Sequence, residues 1–393
     1  MLRTLAIPFM VVAVMSPECG SSSDSSTSAA VQNFQSITVN AGPNNDYFNG
    51  AFTSVTICAP GSVSSCQTIS GVLVDTGSSG LRVLSSALTL SLPQQTTATG
   101  APVVECGQFL DGVTWGPVAT ADLKLGGEQA SSVPIQVIGG PNAPAIPSDC
   151  SSVGPPENTL ADLGANGILG VGLFRQDCGG ACITTGAGNP GFYYACPSSG
   201  CVVTAQSLTR QLQNPVWMFP TDNNGVLIQL PALPAGGALT STGMMIFGIG
   251  TQSDNALGSA KVLTVDGSGS LPTTFGSQTY SGTFIDSGSN GIFFLDSFTT
   301  GIPLCPDTAD FYCPATLQSL SATIRGVNGT ASAVTFNVGN VDNLNGNFSA
   351  FNEVAGPNAG TFDWGLSFFF GRTVFTAIEG QATPGGTGPY FAF

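Results

Sequence analysis

Two copies of one short pattern, each centred on an aspartate, lie about half the chain apart. The first reads VLVDTGSSG over residues 72–80, and the second reads TFIDSGSNG over residues 283–291. In each copy an apolar stretch runs into Asp75 or Asp286, which is followed by a small hydroxyl residue, Gly and Ser. Two carboxyl groups held close together cannot both ionise easily, so they share a proton. One carboxyl can then activate water while the other donates a hydrogen bond to a carbonyl, which predicts hydrolysis of an amide bond.

The residues that follow each aspartate have types that could support such a pair. Glycine permits a tight turn and lets backbone N–H groups approach the carboxylate. The first hydroxyl residue can cross-link the two loops, and the serine can hydrogen-bond the outer carboxylate oxygen, which favours the ionised form. The supporting residues predicted in this way are Thr76, Gly77, Ser78, Ser287, Gly288 and Ser289. Asp, Gly and Ser also favour ordinary turns, but two copies that each follow an apolar strand favour a catalytic pair.

The composition predicts a mainly β protein that works without a cofactor. The chain of 393 residues is long enough for two substantial cores. Apolar and β-branched residues recur between turn signals from 52 Gly and 26 Pro, and no long stretch has a helical apolar period. The chain contains no histidine, which excludes Ser-His and Cys-His catalysis and the common His-ligated zinc sites. Acid–base chemistry therefore falls to carboxylates, and neither a cofactor nor a metal is expected.

The charge of the chain limits the class of partner. Lys and Arg number 8 while Asp and Glu number 23, which gives a formal net charge of −15 at pH 7. Phosphate binding needs clustered basic residues, so nucleic acid is excluded as a partner. A peptide or protein substrate and a monomeric chain are the expectations that remain.

The N-terminus has the pattern of an export signal. Arg3 precedes an apolar stretch over residues 5–15 that is too short to span a bilayer, and Cys19 and a Ser-rich segment follow. This resembles a bacterial lipoprotein leader, in which the cysteine carries lipid and becomes the mature N-terminus. Residues 16–18, Ser-Pro-Glu, fit such a leader poorly, so an ordinary secretory signal is the alternative. We expect a bacterial cell-envelope or secreted protein, linked to a membrane by lipid alone if at all.

The cysteine count fits lipid attachment at Cys19, because removing that residue from the 11 cysteines leaves an even set. An even set in an exported protein predicts disulfides. The expected pairs are Cys58–Cys66, Cys305–Cys313 and, across a long loop, Cys106–Cys150. A remaining cluster can pair in several ways, and zinc binding is its alternative. That cluster consists of Cys178, Cys182, Cys196 and Cys201.

The motifs divide the chain into five predicted segments. A leader and a Ser-rich tether come first, and two β lobes that each contain one aspartate are separated by a crossover. The one short helix expected covers Ser207–Gln213 and ends before Asn214-Pro215, since the residue before proline disfavours the helical conformation. The segments are residues 1–19, 20–30, 31–213, 214–235 and 236–393.

With these motifs the chain resembles the pepsin-like aspartic peptidases, which implies a bilobal, mainly β fold with Asp75 and Asp286 as the catalytic pair. In that family an apolar-apolar-Gly strand follows each aspartate and passes beneath the catalytic loop. Ile168-Leu169-Gly170 fits this pattern in the first half, and Trp364-Gly365-Leu366 fits it less closely in the second. Ile246-Phe247-Gly248 resembles the segment that opens the family's second lobe. The chain also resembles a family of bacterial exported proteins that has the same motifs and no assigned activity.

The resemblance departs from the family pattern at the flap, the hairpin that closes over the cleft. Family members have a flap tyrosine that hydrogen-bonds a tryptophan just after the first Asp motif. Alignment on the flap pattern places Phe109 at the tyrosine position and Arg82 at the tryptophan position. Phe109 or Trp115 could cover the substrate as an apolar lid, or both could be ordinary core or surface aromatics. For Arg82 we favour a solvated loop over a pairing with a carboxylate in the cleft.

Two functions fit these observations. The first is an aspartic endopeptidase of the cell envelope, in which an extended peptide lies between the lobes as an added strand. The second is a non-catalytic peptide-binding or structural lipoprotein that keeps the fold without hydrolysis. Two intact Asp motifs favour the enzyme, and the altered flap favours the binding protein.

Overall fold

Strands dominate the part of the chain that the structure describes, which is residues 32–140 and 143–393 of a computed structural model. The mainly β prediction is therefore confirmed. The predicted leader, the lipid site at Cys19 and the Ser-rich tether lie outside the described residues. Among the described residues no helix is long and apolar enough to cross a lipid bilayer.

Most strands are short and are separated by turns rich in Gly, Pro, Asn and Ser, as these residues favour. The strands are β1 Phe34–Asn40, β2 Gly50–Cys58, β3 Cys66–Asp75, β4 Ser79–Leu84, β5 Val103–Gln108, β6 Val113–Leu125, β7 Glu128–Ile138, β8 Gly167–Val171, β9 Tyr193–Ala195, β10 Val202–Val203, β11 Gly225–Leu230, β12 Ser241–Phe247, β13 Val262–Thr264, β14 Leu271–Phe275, β15 Gln278–Ile285, β16 Ile292–Leu295, β17 Gln318–Arg325, β18 Ala331–Val338, β19 Ala355–Gly356, β20 Asn358–Trp364, β21 Arg372–Ala377, β22 Ala382–Thr383, β23 Gly386–Thr387 and β24 Tyr390–Ala392.

Helices in the described ranges are single turns. The α-helical turns are α1 Ser148–Ser151, α2 Leu160–Leu163, α3 Ser297–Thr300 and α4 Leu366–Phe369. The 3₁₀ turns are Gly179–Cys182, Leu208–Arg210, Val216–Met218 and Val341–Asn343. The helix predicted over Ser207–Gln213 is therefore only the 3₁₀ turn at Leu208–Arg210. The chain becomes extended at Gln211, where the next residue, Leu212, is fully buried in a cluster with Tyr193.

Two large sheets contain most of the strands. Fifteen strands follow one another in the order β10-β9-β5-β6-β7-β4-β8-β3-β2-β1-β12-β11-β21-β24-β13, and seven follow in the order β18-β17-β14-β15-β20-β16-β19. Strands from both halves of the chain share the larger sheet, since β1 pairs with β12 in antiparallel register. The boundaries predicted for the two lobes and the crossover stay a prediction.

The same three-strand arrangement supports each aspartate. Strand β3 ends at Asp75, and β8 runs parallel to it and antiparallel to β4. In the second half β15 leads into Asp286, and β20 runs parallel to β15 and antiparallel to β16. Residues Val72–Val74 are almost fully buried, so the strand fixes the position of the aspartate at its end. The two loops are therefore related by the repeat that the sequence shows.

The strand register corrects one alignment made from the sequence. Val74, which precedes the first aspartate, is opposite Leu169, and Ile285, which precedes the second, is opposite Trp364. The glycine of the apolar-apolar-Gly pattern is therefore Gly365, and the pattern begins one residue earlier than predicted. Its first position, apolar in the first half as Ile168, is occupied by Asp363 in the second half.

All ten cysteines predicted to be oxidised form disulfides, which confirms that part of the sequence analysis. The three expected pairs are present, and the remaining cluster pairs locally. Because the sulfurs of that cluster are bonded to each other, no thiolate is left there to bind zinc. The disulfides are Cys58–Cys66, Cys106–Cys150, Cys178–Cys182, Cys196–Cys201 and Cys305–Cys313.

The Cys106–Cys150 disulfide joins strand β5 to α1 across 44 residues, the longest separation among the five. We expect the double variant Cys106→Ser with Cys150→Ser to lower the free energy of unfolding by about 2–4 kcal/mol, because the cross-link restricts the unfolded chain. Denaturant unfolding measures this change. The matched double serine variant of Cys178 and Cys182, which are only 4 residues apart, should lose less, and an equal or larger loss there would contradict the argument.

Candidate active site

The two predicted catalytic carboxylates meet at one backbone N–H group. The Gly77 nitrogen lies 2.7 Å from Asp75 Oδ1 and 3.0 Å from Asp286 Oδ1. The distance between Asp75 Oδ1 and Asp286 Oδ1 therefore cannot exceed the sum of these two distances. A Cβ atom on Gly77 would lie 2.7 Å from Asp286 Cγ, and one on Gly288 would lie 2.9 Å from Asp75 Cγ. Only glycine leaves room for the two carboxyl groups to approach each other in this way.

Reciprocal hydrogen bonds cross-link the two aspartate loops, as their sequences predict. The Thr76 N–H donates to Ser287 Oγ at 3.2 Å, and the Ser287 N–H donates to Thr76 Oγ1 at 2.9 Å. The Ser287 hydroxyl also donates to the Val74 carbonyl at 2.8 Å. Thr76 and Ser287 are almost fully buried. The loops therefore form one unit that holds both aspartates in fixed relative positions.

Each aspartate also accepts hydrogen bonds within its own loop. The Ser78 hydroxyl donates to Asp75 Oδ2 at 2.5 Å, and the Ser78 N–H donates to Asp75 Oδ1 at 3.2 Å. In the second loop the Gly288 N–H donates to Asp286 Oδ1 at 2.7 Å, and the Ser289 hydroxyl donates to Asp286 Oδ2 at 3.1 Å. Donors of this kind stabilise a carboxylate.

The environment of Asp286 favours its protonated form. Loss of hydration raises the pKa of Asp286 well above its ordinary value, and the neighbouring carboxyl groups of Asp75 and Asp363 raise it further. The Gly288 N–H acts in the opposite direction and does not overcome these effects. A protonated Asp286 beside Asp75 is the arrangement needed for one acid and one base.

A cavity of about 970 Å³ opens above the two aspartates. The turn between β5 and β6 covers one side of it, and Phe109 and Leu110 at this turn line the cavity. The Leu110 side chain is 78% exposed, so it is free to contact a ligand. No Lys or Arg occurs among the described residues that line the cavity, whereas several carboxyl groups do. A volume of this size holds several residues of an extended peptide.

Arg82 is neither on a solvated loop nor in the cavity, which corrects the interpretation favoured from the sequence. Its side chain is 2% exposed in β4, and its Nη2 atom lies 2.5 Å from Glu105 Oε1 and 3.5 Å from Asp177 Oδ2. The guanidinium carbon lies 5.3 Å from the centre of the Phe109 ring, a cation–π contact. A buried Arg–Phe contact thus stands where the family has a hydrogen bond between tyrosine and tryptophan.

The buried cluster behind the flap contains two carboxyl groups for one guanidinium. Tyr193 donates to Asp177 Oδ1 at 2.7 Å, and Gln136 Nε2 donates to the Glu105 carbonyl at 2.9 Å. Burial raises the pKa of Glu105 well above its ordinary value, and Arg82 only partly opposes this. The cluster fixes strand β5, and with it the flap, against the strand that follows the first aspartate.

Trp115 does not serve as a lid, which corrects the second flap prediction. Its side chain is 1% exposed and its indole N–H donates to the Pro144 carbonyl at 2.8 Å. The ring packs edge-to-face on Tyr194, 5.1 Å between centres. Trp115 is opposite Cys106 on strand β5 and packs in a core cluster with Cys106 and Cys150, and it is not among the residues that line the cavity. Phe109 does line the cavity, and its role toward substrate stays a prediction.

Several cavity residues with ionisable side chains were not found from the sequence, and three of them have raised pKa values. Tyr47 lies in a turn before β2, and its pKa is raised by burial and by nearby carboxyl groups. Burial, with help from Asp111 and Asp162, raises the pKa of Glu157 to about 7. Asp363 is 1% exposed beside the pair, and only the strand register reveals it. Had the second apolar-apolar-Gly pattern been aligned on Gly365, Asp363 would have been the one polar residue in it.

The chain matches one of the known protein families. The family described as "Protein of unknown function (DUF3443)" matches residues 29–393. The chain belongs to this family. A comparison with curated proteins finds no match. The family description assigns no activity, so the function rests on the site itself.

Among solved structures, this member of the DUF3443 family is similar to an aspartic proteinase from Irpex lacteus. The two share 18% sequence identity and a TM-score of 0.53, over 91% of this chain and 96% of the other. At this identity the similarity shows the fold alone. The bilobal pepsin-like fold expected from the sequence is therefore confirmed.

Proposed function

We propose that this protein is an exported aspartic endopeptidase that hydrolyses peptide bonds with the Asp75 and Asp286 pair. The observation that carries the proposal is the shared Gly77 N–H, which brings one oxygen of each carboxyl to the same nitrogen. Carboxyls this close share a proton, and the raised pKa of Asp286 makes it the member that holds the proton. Asp75 is then the ionised member.

The reaction follows from this assignment. Asp75 takes a proton from a water molecule as the water oxygen attacks the carbonyl carbon of the peptide bond. Protonated Asp286 donates a hydrogen bond, and then its proton, to the carbonyl oxygen, which gives a neutral tetrahedral diol. Collapse of the diol returns a proton to Asp286, while Asp75 passes its proton to the amide nitrogen as the carbon–nitrogen bond breaks. Both carboxyls end in their starting states.

The substrate and location follow from the surroundings of the pair. An extended peptide fits the cavity beneath the flap, where Phe109 and Leu110 supply apolar contacts. Five disulfides suit an oxidising compartment outside the cytoplasm. Cys19, with lipid attached, would hold a monomeric enzyme on a membrane of the bacterial envelope.

The test is incubation of the purified protein with a denatured protein substrate between about pH 3 and pH 7, the range in which a carboxyl pair can share one proton. We expect cleavage with a bell-shaped pH dependence, and inhibition by a statine-type peptide that mimics the tetrahedral intermediate. The same peptide should raise the melting temperature of the protein, because it binds the folded state alone.

The altered flap favours a second candidate, a peptide-binding envelope protein without turnover. Phe109 and Arg82 provide no hydroxyl over the cavity. If the statine peptide raises the melting temperature while no substrate is cleaved at any pH, the binding function replaces the enzymatic one. If it neither binds nor inhibits, both candidates fail.

A further inference from the structure

The two halves of the site differ at one position beneath the catalytic loops. Ile168 in β8 is opposite Leu73, two residues before the first aspartate, and Asp363 in β20 is opposite Phe284, two residues before the second. Pairing with β4 and β16 also makes Ile168 and Asp363 equivalent positions. Ile168 is opposite Arg82 and Asp363 is opposite Phe293, and both partners lie at the same distance after their aspartate. A carboxyl group therefore replaces an apolar side chain on one side of the repeat.

The Asp363 carboxyl lies in surroundings that disfavour its charge. It is 1% exposed, and its Oδ1 atom has no hydrogen-bond partner among the described residues. An unpartnered oxygen of a buried carboxylate is costly, whereas a neutral carboxylic acid is tolerated. Loss of hydration raises the pKa of Asp363 to about 8, the negative Asp75 adds to this, and a hydrogen bond with Ser289 opposes it.

We propose that Asp363 is a positioning residue that holds the Ser289 hydroxyl group on Asp286. This inference rests on the proposed function, because it concerns the same pair of aspartates. Ser289 has one hydroxyl hydrogen and two carboxyl neighbours, Asp286 at 3.1 Å and Asp363, which lines the same cavity. When Asp363 is protonated, its O–H donates to Ser289 Oγ, and the Ser289 hydrogen is donated onward to Asp286 Oδ2.

Ionisation of Asp363 reverses this arrangement. A carboxylate accepts and cannot donate, so the Ser289 hydrogen turns toward Asp363 and Asp286 loses a donor. The titratable groups that face Asp363 are Asp286, at the end of β15, and Asp75, at the end of β3, while β16 contributes the apolar Phe293. The charge itself holds the shared proton in place, because it raises the pKa of Asp286, so the effect on activity comes from the lost donor. Activity should therefore fall as Asp363 ionises on the alkaline side.

Two neutral variants separate the charge of Asp363 from its hydrogen bond. Asp363→Asn cannot ionise but keeps a donor for Ser289, and Asp363→Ile restores the residue type of the first half and has no donor. For hydrolysis of a denatured protein, we expect the alkaline limb of the Asn variant to lie at higher pH than that of the parent, because this variant cannot undergo the ionisation that turns the Ser289 hydrogen away from Asp286. The Ile variant should have a kcat about fivefold below that of the Asn variant, from loss of one hydrogen bond.

A stability measurement tests the inference without activity. A carboxyl titrates near pH 4 in an unfolded chain and here at about 8 in the folded state, so between these values the folded protein binds a proton that the unfolded chain has lost. The parent should therefore lose stability relative to either neutral variant as the pH rises from about 4 to about 8, and the difference should then stay constant. The measurement is the denaturant midpoint. Because Asp286, Glu105 and Glu157 also have raised pKa values, the infrared band of protonated carboxyls is compared between parent and variants, and the parent should lose one additional protonated carboxyl near pH 8.

The outcomes distinguish this inference from the proposed function. A stability difference that is flat over that pH range, together with the same protonated-carboxyl band in the parent and both variants near pH 8, overturns the assignment of Asp363. Equal kcat values and alkaline limbs in the parent, Asn and Ile variants of an active enzyme also overturn it. A parent protein that titrates as described but cleaves no substrate defeats the proposed function instead.

Discussion

Replacing either catalytic aspartate, as Asp75→Asn or Asp286→Asn, is expected to lower kcat/KM for peptide hydrolysis by about a thousandfold, within the range typical of general acid–base groups. Asparagine keeps the shape of the side chain, so the Gly77 contact and the loop cross-link remain. It cannot take a proton from water or pass one to the leaving nitrogen. Initial rates with a denatured protein substrate, over the pH range in which the parent is active, measure the loss.

The control for this prediction is a carboxyl group of the same type outside the cavity. Asp307 is exposed, and Asp307→Asn should keep the kcat/KM of the parent. Far-ultraviolet circular dichroism and the melting temperature should show that all three variants fold. Cleavage by Asp75→Asn or Asp286→Asn at the parental rate would mean that another group hydrolyses the substrate.

Removing the buried guanidinium should have the largest effect on stability. Arg82→Met leaves Glu105 and Asp177 buried without their cation, and breaking a buried ion pair in this way costs about 3–5 kcal/mol of unfolding free energy. The loss should shrink as the pH falls, because burial already raises the pKa of both carboxyls and protonation removes the uncompensated charge. Denaturant unfolding at several pH values measures both effects.

Two further variants show whether charge is the cause. Adding Glu105→Gln to Arg82→Met removes one uncompensated carboxyl and should restore part of the lost stability. Arg325 is exposed, so Arg325→Met should change stability by no more than about 0.5 kcal/mol. If the double variant is less stable than Arg82→Met, the packing of Arg82 matters more than its charge.

The parts of the molecule that repeat were the parts that could be predicted from sequence. Asp75 and Asp286 share one local pattern. Because the pattern occurs twice, each time after an apolar strand, the repeat itself predicts that two similar strand-and-loop units face each other. The cross-link between Thr76 and Ser287 followed from that symmetry, and the structure contains it. Local disulfides were predictable for a similar reason, since cysteines close in sequence meet with little loss of chain entropy.

The features that escaped prediction depend on contacts between distant residues. Arg82 was assigned to a solvated loop because its partner Glu105 is 23 positions away and on another strand. For Trp115 both a lid and an ordinary core position stayed open, because no sequence pattern shows which face of the flap strand turns inward. Asp363 was missed because an offset of one residue exchanges the two faces of a strand, and only the pairing with β15 fixes that offset.

Four of the five disulfides join cysteines separated by eight residues or fewer. Short loops close within tens of nanoseconds, far faster than a chain is synthesised or exported. The chain is synthesised and exported with its N-terminal end first. Each of these cysteines therefore meets its partner before the next pair has been released. The order in which the cysteines are released therefore determines their pairing. Cys106 is the one cysteine whose partner lies far along the chain, 44 residues away. Oxidative maturation should require an enzyme that forms disulfides, with a need for a disulfide-rearranging enzyme confined to Cys106 and Cys150.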